Sequence, residues 1–277
     1  MQLCSLWRAR RAHVSAEERI VRFRRILQSA QSFPHYRRAL RVADLDTREA
    51  MRGVDNIAAA LERLPVQPET MMFRDAWAKP RMTPRLCHPL AITSRTAIVA
   101  ADFQAEPDSR LFRWSEDTRA LESFAPQTIA ADVFHLRAIA GAMETGHLSL
   151  RPLRHAVIAF SGAAQGDLTQ RDLDILWRVF QVPTFEQRLG GDGVPIAREC
   201  EVHDGLHVAL ENAVVEQIDG ELVLTSLTDT ACPVLRVRTG YAATMVEGLC
   251  HCGRAESRIR GLARLERHTA ALSAGAN

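Results

Sequence analysis

Apolar residues recur three and four positions apart at Ile20, Phe23, Ile26 and Leu27, the stripe of an amphipathic helix. Ser15, followed three residues on by Glu18, forms a capping-box signature at its start. The pattern predicts helix over 15–40, with Phe33-Pro34 as its stop. A second amphipathic stretch, Val54 to Leu64, halts at Pro65, and a short helix is expected near Glu69–Trp77. Pro80, Pro84 and Pro89 then mark a linker or domain edge over 78–90. A weak strand is predicted within 91–103.

From 125 onward the period changes. Pro126–Ala130 reads as a short strand and Val133–Met143 as a helix. His155–Phe160 is an unbroken apolar run, as a strand covered on both faces requires. Thr169 opens a helix running from Leu173 to Phe180, and Val182–Phe185 returns as a strand. Strand, helix, strand at this spacing implies a parallel crossover. In such sheets ligands sit beyond the carboxyl ends of the strands, so Ser161–Gly166 and Glu186–Asp192 are expected to face one crevice. After 200, short β-rich segments (Leu206–Leu210, Ala213–Ile218, Glu221–Thr225, Val234–Arg238) alternate with turns such as Asp219-Gly220. They read as an antiparallel meander.

Composition removes several function classes. With 35 basic and 33 acidic residues in 277, no global field recruits nucleic acid or a membrane surface. The arginine-rich start, Arg8-Ala9-Arg10-Arg11, has no interleaved aromatics and reads as a solvated face. No run of 18 apolar residues occurs, and Leu3–Trp7 is too short for a signal-peptide core, so a reduced, cytoplasmic protein is expected. Lys79 is the single lysine. Chemistry that needs an ammonium must use it or do without one.

Several blocks together resemble the phenylacetate–coenzyme A ligase branch of the adenylate-forming superfamily. Phe23–Leu27 with Phe33-Pro34-His35-Tyr36-Arg37-Arg38 is similar to that family's opening helix and its tail. Val157–Phe185 is similar to its strand, Gly-Ala-Glu, helix, strand passage. Most specific is the order Glu199-Cys200, Asp204–Val208, Gly220–Thr228, Pro233–Gly240 and Cys250-His251-Cys252-Gly253-Arg254. The likeness is good over 125–265, fair over 18–80 and absent between about 81 and 120.

Departures from the family pattern carry as much information. The phosphate-cradling Ser/Thr/Gly loop has no counterpart; Thr93-Ser94-Arg95-Thr96 is the nearest approach and lacks glycine. The Gly-Ala-Glu of the adenine site appears as Gly162-Ala163-Ala164. The motif whose glutamate meets Mg²⁺ appears as Arg188-Leu189-Gly190-Gly191-Asp192. The aspartate that holds both ribose hydroxyls is Tyr241 here, and a phenol cannot accept as a carboxylate does. Past Arg254 little chain remains for the mobile lid domain and its lysine.

Cys200, His207, Cys250 and Cys252 form the best metal candidate. Thiolates and an imidazole suit Zn²⁺ in a closed tetrahedral site, and Cys-x-Cys-Gly makes a tight knuckle. His203 is an alternative ligand, and reduced buried thiols beside a surface histidine are the bland alternative. In similar ligases these positions look like a structural zinc site.

The expected fold is mixed α/β: N-terminal helices over 1–80, a parallel α/β layer over 81–195, and over 196–277 a β meander with the zinc site and a C-terminal helical tail. The crevice candidates are Ser161, Gly162, Ala163, Glu186, Asp192 and Tyr241, with no catalytic residue assigned. Structural zinc is expected, while ATP or AMP with Mg²⁺ is disfavoured. The function expected is a non-catalytic, ligase-like binding or accessory subunit, with a protein partner, a second copy or a small carboxylate as its ligand. A divergent carboxylate–AMP ligase and a purely structural zinc module are the alternatives.

Overall fold

A computed structural model describes residues 14–70, 86–90, 94–100, 108–114, 117–228 and 231–265. The expected segments at 78–85 and 91–93, the Glu69–Trp77 helix beyond Thr70, and Lys79 fall outside them.

Ser15 caps α1 (Ala16–Ala30), its hydroxyl accepting from the Glu18 N–H at 3.1 Å. The helix buries Phe23, Ile26, Leu27 and Ala30. It does not continue to residue 40. Pro34 opens a second helix, α2 (Pro34–Val42), instead of closing the first, because at the first helical turn a missing N–H costs nothing. Thr47 and Asn56 cap the short α3 (Arg48–Arg52) and α4 (Ile57–Arg63). The four helices share a core with Leu227, Leu235 and Val237. The N-terminal region therefore packs on the far end of the chain.

The strands β1 (Thr96–Val99), β2 (Ser109–Phe112), β3 (Thr128–Asp132), β4 (Ala156–Ser161) and β5 (Thr184–Leu189) make a parallel layer in the order β2-β1-β3-β4-β5. Between them run α5 (Thr118–Phe124), α6 (Val133–Glu144) and α7 (Gln170–Phe180). β4 is buried along its whole length. One of its faces packs with α6 and α7, the other with Leu86, Ile98 and Leu189. Thr169 and Asp172 complete a reciprocal capping box on α7.

The α/β layer and the meander are not separate sheets. β6 (Pro195–Glu199) pairs antiparallel with both β5 and β7 (Leu206–Val208). Beyond them β11 (Arg258–Arg264), β10 (Val237–Val246), β9 (Glu221–Ser226) and β8 (Ala213–Ile218) complete an 11-stranded sheet among the described residues. The boundary expected at 195 thus falls within continuous hydrogen bonding. Arg258–Arg264 is strand, and 266–277, the end of the segment expected to carry a helical tail, lie outside the described residues. The β8–β9 hairpin turns at Asp219 and Gly220, both with positive φ, the geometry a two-residue hairpin demands. No helix among the described residues is long and apolar enough to cross a membrane.

Candidate functional site

β5 is longer than its apolar stretch predicts. It extends through Glu186 and Arg188 because both flanks are hydrogen-bonded, Ser161 opposing Arg188 on β4 and Ala197 opposing it on β6. Two charged side chains are thereby fixed in strand rather than held in a loop. At the carboxyl ends of β4 and β5 a cavity of about 370 Å³ opens. Gly162, Ala163 and Ala164 line one side, and Arg188 through Gly191 another. The remaining wall is the sheet itself, through Ile196, Val215, Leu222, Leu224, Thr239, Tyr241, Ile259 and Arg264, with Glu69 arriving from the N-terminal region.

Of the six crevice candidates, Gly162, Ala163 and Tyr241 line this cavity. Ser161 and Glu186 do not; the Ser161 hydroxyl donates to the Glu186 carboxylate behind the wall. Burial pushes the Glu186 pKa up, although the Ser161 hydroxyl and Arg188 pull against that shift. Asp192 is also set back. Its carboxylate accepts from the Thr228 hydroxyl at 2.5 Å, the Ser226 hydroxyl at 3.3 Å and the Val194 N–H at 3.1 Å.

Tyr241 is at the centre of a closed network. Its hydroxyl donates to Asp167 at 2.7 Å, and the Arg188 guanidinium lies over its ring at 4.1 Å. Arg188, 5% exposed, also meets Asp167 at 3.4 Å and Glu186 at 3.6 Å. Burial, then the Asp167 hydrogen bond, raises the Tyr241 pKa above its ordinary value, keeping the phenol neutral. Sequence reasoning did not single out Asp167, Arg264 or Glu69. Glu69 lies more than 160 positions from Gly240, the residue its carboxylate packs against, so no local pattern could link them. Ser94–Thr96 sits at the amino end of β1, where Ser94 joins Thr128 and His155, at the opposite edge of the parallel layer from the cavity.

A second constellation lies at the far side of β7. The ligand atoms of Cys200, His207, Cys250 and Cys252 all fall within 4.8 Å of one another. Cys200 and Cys250 sulfurs are 3.9 Å apart, and Cys252 Sγ is 3.5 Å from His207 Nε2. A tetrahedral zinc needs about 3.8 Å between sulfurs and about 3.6 Å from sulfur to nitrogen, from its usual bond lengths. The sulfur pair is far too long for a disulfide, whose bond is roughly 2.05 Å. Gly253, at φ 83°, lets the knuckle turn so that its N–H returns to the Cys250 carbonyl at 2.8 Å. Burial lowers the His207 pKa to about 4, leaving the neutral imidazole that ligation requires. Burial pushes the Cys252 thiol up to about 12. Burial raises the Cys200 thiol as well, whereas at Cys250 burial is outweighed by hydrogen bonds from the Cys252 N–H and the neighbouring thiols, which lower its pKa. The donor set and its spacing fit a metal. His203 is committed elsewhere: it pairs with Glu199 at 3.0 Å and stacks on Phe185.

No family model and no curated protein matches the sequence. Solved structures do match, and what they share with the chain is a fold, that of part of an acyl-coenzyme A ligase. The particular matches are structures of 2-hydroxyisobutyryl-CoA ligase. In the postadenylation state with 2-HIB-AMP that enzyme superposes with TM-score 0.62 at 14% identity, over 92% of this chain and 69% of its own. In the thioesterification state with 2-HIB-AMP and CoA the values are 0.62, 14%, 91% and 69%. Its open conformation gives 0.59, 13%, 88% and 68%. At such identity the likeness shows the fold alone, and about a third of the enzyme's length has no counterpart here.

Proposed function

We propose that this chain is a degenerate adenylation-domain-like protein, of the phenylacetate–coenzyme A ligase kind, that does not activate carboxylates by itself. It serves as a binding or accessory subunit in a carboxylate-activating or biosynthetic pathway, with a protein partner or a second copy. The observation that carries this reading is the network Asp167–Tyr241–Arg188–Glu186. Where the family pattern calls for a carboxylate open to ribose, a buried phenol already donates to Asp167 beneath a buried guanidinium. Asp192, the acid left for Mg²⁺, is engaged by Ser226, Thr228 and the Val194 N–H. Adenylation requires ribose, phosphates and metal to be positioned together, and preorganised groups supply most of the rate.

In the same reading Cys200, His207, Cys250 and Cys252 hold one structural zinc. Four protein ligands leave no open position, so the ion ties β7 to the β10–β11 connection rather than acting on substrate. The Glu256 carboxylate, 3.9 Å from His207 Nδ1, stands behind the ligand on its other side. Isothermal calorimetry with ATP, AMP and aryl carboxylates, with and without Mg²⁺, tests the proposal. Absence of Mg²⁺-dependent ATP binding is expected. Micromolar Mg²⁺-dependent ATP binding would overturn it.

A further inference from the structure

The surface facing the cavity is mostly hydrocarbon, and the register of the sheet explains why. Leu222 and Leu224 lie two apart on β9 and so share one face. Val215 of β8 stands directly opposite Leu224, which puts all three on the same side of the hairpin. Ile196 arrives from β6: a Cβ on Gly190, itself part of the wall, would lie 3.2 Å from Ile196 Cγ2. Ile259 comes from β11 and packs in the same apolar cluster as Leu222. Aliphatic residues of β6, β8, β9 and β11 thus border one space of about 370 Å³. An apolar cavity of roughly 150 Å³ stays dry and accepts benzene, so this one has room for about twice as much, a ring with a short chain or a fused pair of rings.

The polar residues of the lining are committed to partners. The Thr239 hydroxyl donates to the Leu222 carbonyl at 2.9 Å, and the Tyr241 hydroxyl gives its one proton to Asp167. The Arg188 guanidinium already meets two carboxylates, Asp167 and Glu186, so a third would bring excess negative charge to one buried cation. Glu69 has a partner of its own. Arg264 is exposed at the end of β11, where water screens it. An ion drawn in against these aliphatic walls gives up its hydration for hydrocarbon, and that transfer is strongly unfavourable. We infer that the cavity binds an uncharged, largely apolar small molecule, its hydrocarbon against Ile196, Val215, Leu222 and Leu224. Such a ligand offers no carboxylate to activate, so the chain holds it without transforming it.

This inference rests on the chain being a binding protein, as proposed above, but its test involves no nucleotide. Calorimetry on the full chain would compare methyl phenylacetate and 2-naphthol with phenylacetate and 2-naphthoate, which keep the hydrocarbon and carry a charge. The neutral compounds should bind with a negative heat-capacity change, the mark of apolar burial. The acids should bind at least about tenfold more weakly, because nothing in the void replaces their hydration. Val215 is half-buried on the outermost strand, so a larger side chain there narrows the cavity from its edge. Val215→Phe should weaken the neutral compounds roughly tenfold or more, and Val215→Leu by less, as the space available for apolar contact shrinks. Thermal unfolding checks that each variant folds, and Val215→Leu reads the same wall if Val215→Phe does not. Acids binding as tightly as their neutral counterparts, no detectable binding of either neutral compound, or unchanged affinity in the folded Val215 variants would overturn the inference. None of those results bears on ATP binding, so failure here leaves the non-catalytic reading standing, and ATP turnover would remove that reading alone.

Discussion

Replacing Tyr241 with phenylalanine isolates the bond on which the closed crevice depends. The ring stays, so the Arg188 guanidinium keeps its stacking partner at 4.1 Å, and only the hydroxyl that donates to Asp167 at 2.7 Å is lost. A hydrogen bond to a charged acceptor contributes about 1.5–3 kcal/mol. The Asp167 side chain is 33% exposed, so water recovers part of that, and a loss of about 1–2 kcal/mol is expected. Urea unfolding at neutral pH, with an unchanged slope, reads the difference. The pH dependence supplies an independent check. Burial and then Asp167 raise the phenol's pKa in the folded chain, so the stability that the neutral hydroxyl contributes is complete below its unfolded pKa of about 10. It is lost as pH rises through the folded value, because the unfolded chain releases the proton first. The gap between wild type and Tyr241→Phe should therefore hold steady up to about pH 9 and close above about pH 10. Equal stabilities at neutral pH, or a gap that persists into strong alkali, would refute the network as described.

The purified protein should contain one zinc per chain, and Cys252→Ser should lower metal content and destabilise the β7, β10 and β11 strands together; metal analysis below half an equivalent in protein never exposed to chelator would remove the site. Asp172→Asn should cost about 1–2 kcal/mol at neutral pH after allowing for the exposure of Arg137. Burial would raise the Asp172 carboxyl, but Arg137 and Thr169 outweigh it and hold its pKa to about 2, so the wild-type advantage should persist above about pH 4 and vanish as pH falls to about 2. Gly240→Ala should cost about 2 kcal/mol or more in thermal or urea unfolding, since the new methyl meets the Glu69 carboxylate at a positive φ.

Much of this architecture is legible in the sequence where one physical signal dominates. The unbroken apolar run before Ser161 becomes β4, buried on both faces, and Thr169 caps α7 with Asp172. The Asp219-Gly220 hairpin falls where its two residues require. Strands whose pairing, rather than composition, keeps them extended were missed. β6 contains Arg198 and Glu199, and β11 is Arg258-Ile259-Arg260-Gly261-Leu262-Ala263-Arg264, neither of which alternates cleanly. Pro34 is ambiguous in the sequence, because the same residue can end one helix or begin the next, and here it begins one. The four candidate metal ligands are legible because thiol spacing is a local pattern, and the structure brings the ligand atom of His207 to within 4.8 Å of the sulfurs. At the crevice, motif comparison located the loops after β4 and β5 and the Tyr241 position. It could not find Glu69, Asp167 or Arg264, which reach the cavity through sheet register.

The central claim is that this ligase-fold chain does not adenylate carboxylates unaided. ATP–pyrophosphate exchange with the purified zinc-loaded protein, Mg²⁺ and a panel of aryl and alkyl acids tests it most directly. Exchange at background for every acid is the predicted result. Exchange well above background with any one of them, abolished by Asp192→Asn, would contradict the account and show that the residues around Tyr241 rearrange to hold nucleotide.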